Sequence, residues 1–502
     1  MSRRITRRKT QSTQSFTRPE RRIKNAQWSP VSAQDVTKVA EAAFDILTTL
    51  GVANAPQEMI DIVLSAGGHL RAGRLCYPPD LLRNAINRSP RQVLLAGQSP
   101  QYDMTVGGHH SYIGTGGAAP NVRDINTGAI RASTLKDLYD AARLADRLSY
   151  VDFFARSLVA GDIENARDFD LATAAACLLG TAKHVIVQAS DPSHVNEIAN
   201  LCYQIAGSKE AFEARPFLSL HINHIVPPLR CHAESILVMI EAVKYGIPVH
   251  CNVFGQLGAS SPVTLAGSVA QTVAETLVGL ALVHALDPNA ARIAGPRAMI
   301  TDLRSGGMAG GSGEQALATA LIAQVFRHWD IPCSVIAGAT DSKLPDFQAG
   351  YEKALSVHAA IQAGAHLITQ AIGSQAGLMA VDYAAMVADN DVAGVISRAN
   401  SPIEITDDTL ALASIAEVIK GDGHFLGQAD TYSRMRSDFL YPEVADRSSI
   451  ETWAEAGSLD MADRSHKRAK LLLDQHWPNH VPDPIFREIA TRFGLTGQKE
   501  QE

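Results

Sequence analysis

The chain has 502 residues, 46% hydrophobic and 19% charged, long and apolar enough to bury a large core. Its formal net charge of -7 at pH 7 offers no electrostatic footprint for a nucleic acid or an anionic membrane over the body of the protein, and leaves small neutral or cationic ligands as candidates. The six cysteines, Cys76, Cys177, Cys202, Cys231, Cys251 and Cys333, form no C-x-x-C pair and several lie in apolar runs, as reduced core thiols do in the cytoplasm, so no disulfides are expected.

Residues 1–25 set nine Arg and Lys against one acid, Glu20, with almost no large apolar residue, and read as a disordered basic tail. A signal peptide would need an apolar run behind the arginines. None follows, so a cytoplasmic location is expected, a transit peptide being the alternative. Residues 26–108 read as an α-rich N-terminal region. Over 109–400 a short β-prone run, a polar or Gly-rich turn and an amphipathic helix recur in eight units. The strands are expected at 112–114, 151–155, 185–189, 217–222, 249–254, 292–294, 334–337 and 367–371. Eight such units close into a parallel barrel, so the expected fold class is α/β: a (β/α)8 TIM barrel with the α-rich N-terminal region and, over 401–502, an α-rich C-terminal cap.

Helix-start signals agree with this phasing. Thr134 to Asp137 and Ser312 to Gln315 have capping-box spacing, while Asp191-Pro192 and Ser261-Pro262 place an N-cap residue before a proline. Two strands alternate polar and apolar residues. Ser219, His221 and Asn223 share one face of the fourth, and His250, Asn252, Phe254 and Gln256 share one face of the fifth, which points these side chains inward toward the C-terminal mouth. The longest charge-free stretch, 252–274, carries Gly, Ser, Pro and Gln throughout and does not read as a membrane span.

Four stretches carry a family resemblance: GQLGASSPVTLAG at 255–267, GSGEQ at 311–315, TDSKLPDFQAGYEK at 340–353, and GHFLGQAD at 423–430 continuing to YPEVADR at 441–447. They resemble the trimethylamine:corrinoid methyltransferase family, from about Arg22 to the C-terminus. Members specific for trimethylamine carry pyrrolysine in the barrel, whereas this sequence holds only the standard twenty residues. The resemblance therefore implies the pyrrolysine-free branch, a quaternary ammonium substrate such as a betaine, and a cobalamin-type corrinoid acceptor carried on a separate, cognate corrinoid protein. A homo-oligomer is expected, with no nucleic-acid or membrane partner.

Moving a methyl group from a quaternary nitrogen to Co(I) is an in-line displacement that releases a neutral tertiary amine. It needs positioning rather than proton transfer or a Lewis acid, so no metal is expected in this chain and no residue is assigned as catalytic. Aromatic faces grip a permanent cation. Phe154, Phe254, Phe347 and Tyr351 lie at or after C-terminal strand ends, each reading equally as a core aromatic. The glycine-rich run 306–313, with Gly311 and Ser312 at a helix start, offers backbone N–H groups to a carboxylate, or is simply a tight turn. Arg297 and Arg304 flank that run.

His221 and His224 form an H-x-x-H that suggests zinc. Residues three apart on a strand face opposite ways, so His221 is expected instead to hydrogen-bond in the mouth with Asn223, Gln188 or Asn252. Asp341 is a candidate charge partner for the ammonium, unless Lys343 takes it, and Gln256 and Gln370 complete the substrate-binding set. Methyl transfer from a tertiary amine or to another acceptor, and a silent betaine-binding protein, are the alternatives.

Overall fold

The computed structural model describes residues 28–421 and 423–495, so the basic tail expected over 1–25 lies outside the described residues. Eight strands follow the repeating pattern: β1 (Tyr112–Ile113), β2 (Phe153–Ala155), β3 (His184–Val187), β4 (Leu218–Asn223), β5 (Val249–Leu257), β6 (Arg292–Ile300), β7 (Ser334–Ile336) and β8 (Leu367–Thr369). A long helix succeeds each in turn: α1 (Leu135–Arg147), α2 (Ala166–Gly180), α3 (Pro192–Ala206), α4 (Ala233–Lys244), α5 (Leu265–Leu286), α6 (Gly313–His328), α7 (Phe347–Ala363) and α8 (Tyr383–Ala399). Strands β6-β5-β4-β3-β2 form a five-stranded parallel sheet and β7-β8-β1 a three-stranded one. Single parallel bridges, Ala294 with Cys333 and Gly114 with Phe153, join the two sheets at both seams.

Period-two alternation sorts the strand side chains into two environments. Phe154, Val185, Leu218, Leu220, Val249, Cys251, Val335 and Ile368 pack with the helices in the principal core. The opposite face is layered. At its N-terminal end Phe153, Ala155, Ile186, Ile293 and Leu367 meet Val93, Leu95, Met104 and Val106 from the antiparallel hairpin Gln92–Leu95 with Met104–Gly107, which forms an apolar floor. At its C-terminal end Phe254, Met299, Ile336, Ala339, Met308 and Leu378 form an apolar rim. Polar side chains fill the layer between.

β5 and β6 run past their expected ends and stay paired as far as Leu257 with Ile300. β6 runs through Gly295-Pro296, a dipeptide that disfavours a strand interior. It is tolerated because the Ala294 N–H still donates to Pro332, after which the β7 side of β6 carries no further ladder, so the missing N–H of Pro296 leaves no gap. The capping box at Thr134 and Asp137 forms, as does the Asp191-Pro192 start of α3. Ser312 caps α6 through Gln315 N, but the Gln315 side chain reaches Ile300 and Ala298 rather than the cap. Ser261 does not cap α5. The helix starts three residues later behind Thr264, because Ser261 is held in the preceding turn by Gln256 and by the Ser268 hydroxyl.

Residues 28–108 supply helices Ala33–Asp45, Gln57–Ser65 and Pro79–Asn87, all packed on α5, and two hairpins that strands of three or four residues carry too little periodicity to reveal. α5 is long and apolar enough to cross a membrane by length and composition, yet 89% of its most apolar window is buried inside the molecule. At the C-terminal end, helix Met461–Gln475 packs on α8 and α1, where the Arg143 guanidinium lies 3.4 Å from the Trp477 ring centre and donates to His476 O and Leu473 O.

One buried ion pair ties the last two units together. Lys353 of α7 donates to Asp389 of α8 at 2.6 Å, and the same carboxylate oxygen accepts from Gly373 N. Removing the lysine strands a buried carboxylate, so Lys353→Met should lower the unfolding free energy by about 3–5 kcal/mol in urea denaturation, and Lys353→Met with Asp389→Leu should recover most of it. A single variant as stable as the parent would show that the pair is not coupled.

Candidate functional site

The C-terminal ends of the strands converge on one cavity of about 110 Å³, far below the roughly 300–1,000 Å³ of drug-sized sites, and suited to a molecule of a few heavy atoms. Every strand or the loop behind it contributes. Gly117 and Ala118 follow β1, Arg156 follows β2, Gln188 follows β3, His221 and Asn223 end β4, Asn252 and Phe254 lie on β5, Arg297 on β6, Ile336 on β7, and Gln370 and Leu378 follow β8. Thus Gln188, His221, Asn223, Asn252, Phe254 and Gln370 of the sequence candidates come together here.

The other candidates lie elsewhere. Phe154 is fully buried on the opposite face of β2, in the core against the helices. Gln256 lies near the end of β5 beyond Phe254, its carbonyl accepting from Ser260 N and Ser261 N of the following turn. The glycine-run amides expected to meet a substrate carboxylate are already used: Gly310 N and Gly311 N donate to Asp341 at 2.9 and 3.3 Å. That makes Asp341 the anchor of the glycine-rich loop, while Ser312 is spent on the α6 cap. Phe347 and Tyr351 lie outside on the first turns of α7, their ring centres 5.7 Å apart and Phe347 87% exposed. Arg304 is exposed and pairs with Asp302.

The charges in the cavity are the two arginines. Arg297, expected beside the glycine run, is instead 4% exposed inside β6, where it donates to Ser334 O and Ser334 Oγ at 3.0 Å each. Arg156 donates to Gln188 Oε1 at 2.5 Å, lies over the Phe169 ring, and leaves its buried Nε without a partner. Among the described residues no Asp or Glu lines the cavity. Burial lowers both guanidinium pKa values, that of Arg297 to about 10, still fully charged at neutral pH.

Three imidazoles lie around this charge, and a fourth, His224, lies behind the sheet. His184 reaches Ala96 O and Ser219 Oγ at 2.8 Å, and Ser219 Oγ lies 3.0 Å from His250 Nε2. His221 packs edge-on against His250 with ring centres 4.8 Å apart. His224 points to the other face and contacts Glu275 O, so the H-x-x-H pair cannot share an ion. Among the described residues no group of three or more His, Cys, Asp or Glu side chains is placed to hold a metal ion. Burial pushes His184 and His224 down to about 4, and burial with the nearby arginines drives His221 well below its usual range.

Gln370 holds a left-handed backbone conformation, φ 63°, at the end of β8. With its amide oriented to satisfy both ends, it accepts from Gly117 N and donates to Thr369 O, tying the loops after β1 and β8 across the seam. Such a conformation in a non-glycine residue at the cavity wall stores strain where the side chain must be aimed. Arg156 is the main lining residue that sequence reading passed over. Its position directly behind a short apolar strand was the available signal, but an arginine there reads first as a solvated loop residue.

The description "Trimethylamine methyltransferase (MTTB)" belongs to the family model that matches residues 1–493. The chain is 28% identical over 473 residues to the trimethylamine methyltransferase MttB of Desulfitobacterium hafniense (strain DSM 10664 / DCB-2), covering 94% of each protein. It is 25% identical over 468 residues to the glycine betaine methyltransferase of Desulfitobacterium hafniense (strain Y51), covering 92% of this chain and 95% of that one. Among solved structures the Methanosarcina barkeri monomethylamine methyltransferase (MtmB), 11% identical, superposes with a TM-score of 0.51 over 89% of this chain and 88% of that one, a likeness of fold, which is TIM-barrel-like.

The depressed imidazoles predict a pH dependence. Their folded values lie below the ordinary 6.5, so between there and about 4 the unfolded chain binds more protons than the folded one. Stability from these groups is complete above about pH 7 and falls as pH drops through that window. Urea denaturation from about pH 7 to about pH 4.5 should show the decline, and histidine NMR should find these four rings neutral at about pH 5.5. Imidazolium signals from them at about pH 6 would contradict the site electrostatics.

Proposed function

Since this chain belongs to the trimethylamine methyltransferase family and is a methyltransferase, we propose that its methyl donor is a small betaine-type quaternary amine and its acceptor the Co(I) corrinoid of a separate protein. The observation that carries the donor class is the pair of cavity arginines, Arg297 buried and Arg156 half-buried, with no acidic lining residue among the described residues. A bare ammonium ion would be repelled there. A zwitterion presents its carboxylate to Arg156 and Arg297 and its trimethylammonium head outward, to the Phe254 face at the rim.

This chain's residues then do the positioning. The guanidiniums hold the carboxylate, Ser334 and Gln188 hold the guanidiniums, and the apolar rim keeps water from the reacting carbon. Neutral His221 adds no cation beside the quaternary nitrogen. The docked corrinoid supplies a Co(I) nucleophile, and the leaving group is a neutral tertiary amine that needs no general acid. Exposed Val263, Leu303, Leu344 and Met379 on the loops behind β5 to β8, with Phe347 and Tyr351 on the first turns of α7, offer an apolar surface around the opening for the corrinoid protein. Phe347, Tyr351 and Asp341 thus fall to docking and loop support in this reading.

The eight βα units and the bridges at both seams support a closed (β/α)8 barrel over 109–400, with 1–25 as a tail, 26–108 as an N-terminal region and 401–502 as a C-terminal extension on the outer helices. Six buried, free cysteines support a cytoplasmic location, and exposed Ile403, Ile405, Leu412, Ile419 and Ile450 support assembly with further chains.

The test compares two donors, following conversion of cob(I)alamin to methylcobalamin by visible spectroscopy. Arg297→Gln should lower kcat/KM for glycine betaine about ten- to hundredfold, as expected for a lost charged hydrogen bond, and should not lower turnover of tetramethylammonium, which has no carboxylate. Equal losses for both donors would sink the carboxylate assignment. No methylcobalamin from any betaine would sink the donor and acceptor together.

A further inference from the structure

The two ends of the chain carry opposite charge. Residues 401–460 hold twelve Asp and Glu against four Lys and Arg, and residues 1–25 hold nine Lys and Arg against one acid, so the two excesses are equal in size and opposite in sign. Among the described residues of 401–460 only Val418 and Val444 are buried, which leaves that segment with almost no core of its own.

Helix Ala429–Ser437 lies at the centre of an exposed face in this segment. Its Arg434 pairs with Asp408, Asp430 and Asp438 at 2.9, 2.8 and 3.2 Å, so one guanidinium meets three carboxylates and a surplus of negative charge remains. Beside these carboxylates in sequence, Tyr432, Phe439 and Tyr441 are 59%, 64% and 62% exposed. The Arg436 guanidinium lies 4.7 Å from the Tyr432 ring centre, the kind of contact that the other two rings offer to a cation.

The chain enters the described structure close to this face. Trp28 N–H donates to Gln362 O, the Gln362 side chain bonds to Asn400, and two residues earlier Arg398 donates to Asp438 O at 2.9 Å. Residues 1–27 therefore depart from beside the end of α8, where the acidic segment begins. Fully extended, that length spans about 90 Å, ample for a face that starts at Asp438.

We propose that residues 1–25 dock in cis on this face, with their guanidinium and ammonium groups against Asp407, Asp408, Asp430 and Asp438 and over the rings of Phe439 and Tyr441. Charge complementarity and the point of departure select this occupant, since a segment tethered beside its site is held there at high effective concentration. The proposal does not depend on the methyl donor or acceptor.

Limited trypsin digestion of the full chain tests it, with a synthetic peptide of residues 1–25 as the unprotected reference. Cleavage after Arg8 and Arg22 should be about tenfold or more slower in the chain than in the peptide at low salt, because it tracks the undocked population. This protection should be largely lost in about 0.5 M salt, where exposed charges are screened, and in the combined variant Asp407→Asn, Asp408→Asn, Asp430→Asn. It should not change with chain concentration. Cleavage as fast in the wild-type chain as in the peptide would overturn the docking. Protection that survives both salt and the variant would overturn the acidic face as its seat, and protection that grows with chain concentration would place the segment on a second copy and overturn docking in cis. Should the variant fail to fold, the wild-type protection and its loss in salt decide.

Discussion

Two guanidinium groups buried at the end of a parallel sheet, with no acidic residue lining the space between them, set the terms for the rest of this structure. Each is costly to desolvate, and each is held by neutral acceptors: Ser334 for Arg297, Gln188 for Arg156. Neutral partners satisfy N–H groups without cancelling charge. The cavity therefore keeps its positive potential, and the surrounding imidazoles stay unprotonated because burial first, and then the neighbouring positive charge, disfavours another cation. In the function proposed above, the carboxylate of the donor is the complement.

The layered inner face follows from that constraint. The apolar hairpin below and the rim formed by Phe254, Met299, Ile336 and Leu378 above enclose the polar layer and lower its local dielectric. Charge–carboxylate attraction is stronger there than in water, and water has little access to the reacting methyl group. The strain at Gln370 and the close approach at Gly295 have the same origin: side chains are aimed inward where backbone and amide would otherwise collide. Around the opening the loops change character, exposing large apolar side chains that a single chain has no reason to present to water.

Methyl transfer from a permanent cation asks for little acid–base chemistry, and the cavity provides none. No carboxylate faces it, and its histidines resist protonation. What it provides is orientation. The proposed reaction and the contents of the cavity agree on that point.

Much of this was legible in the chain. The eight strand positions, their helices and the inward set Ser219, His221, Asn223, His250, Asn252 and Phe254 follow from period two and period 3.6, which are local properties of the backbone. The zinc-like His221 and His224 spacing could be discounted on the same grounds. Tertiary structure decided what periodicity cannot express. Asp341 lies close to the glycine-rich loop only because the loops after β6 and β7 fold together, and this converts a candidate anion site into a self-satisfied turn. Phe154 lost its candidacy to a one-residue difference in phase on a strand of three residues. Arg156 and Arg297 gained theirs because strands far apart in the chain pack around them. Local patterns fix which face a side chain takes, whereas burial, charge pairing and the partners of a polar atom depend on contacts between segments far apart in the chain.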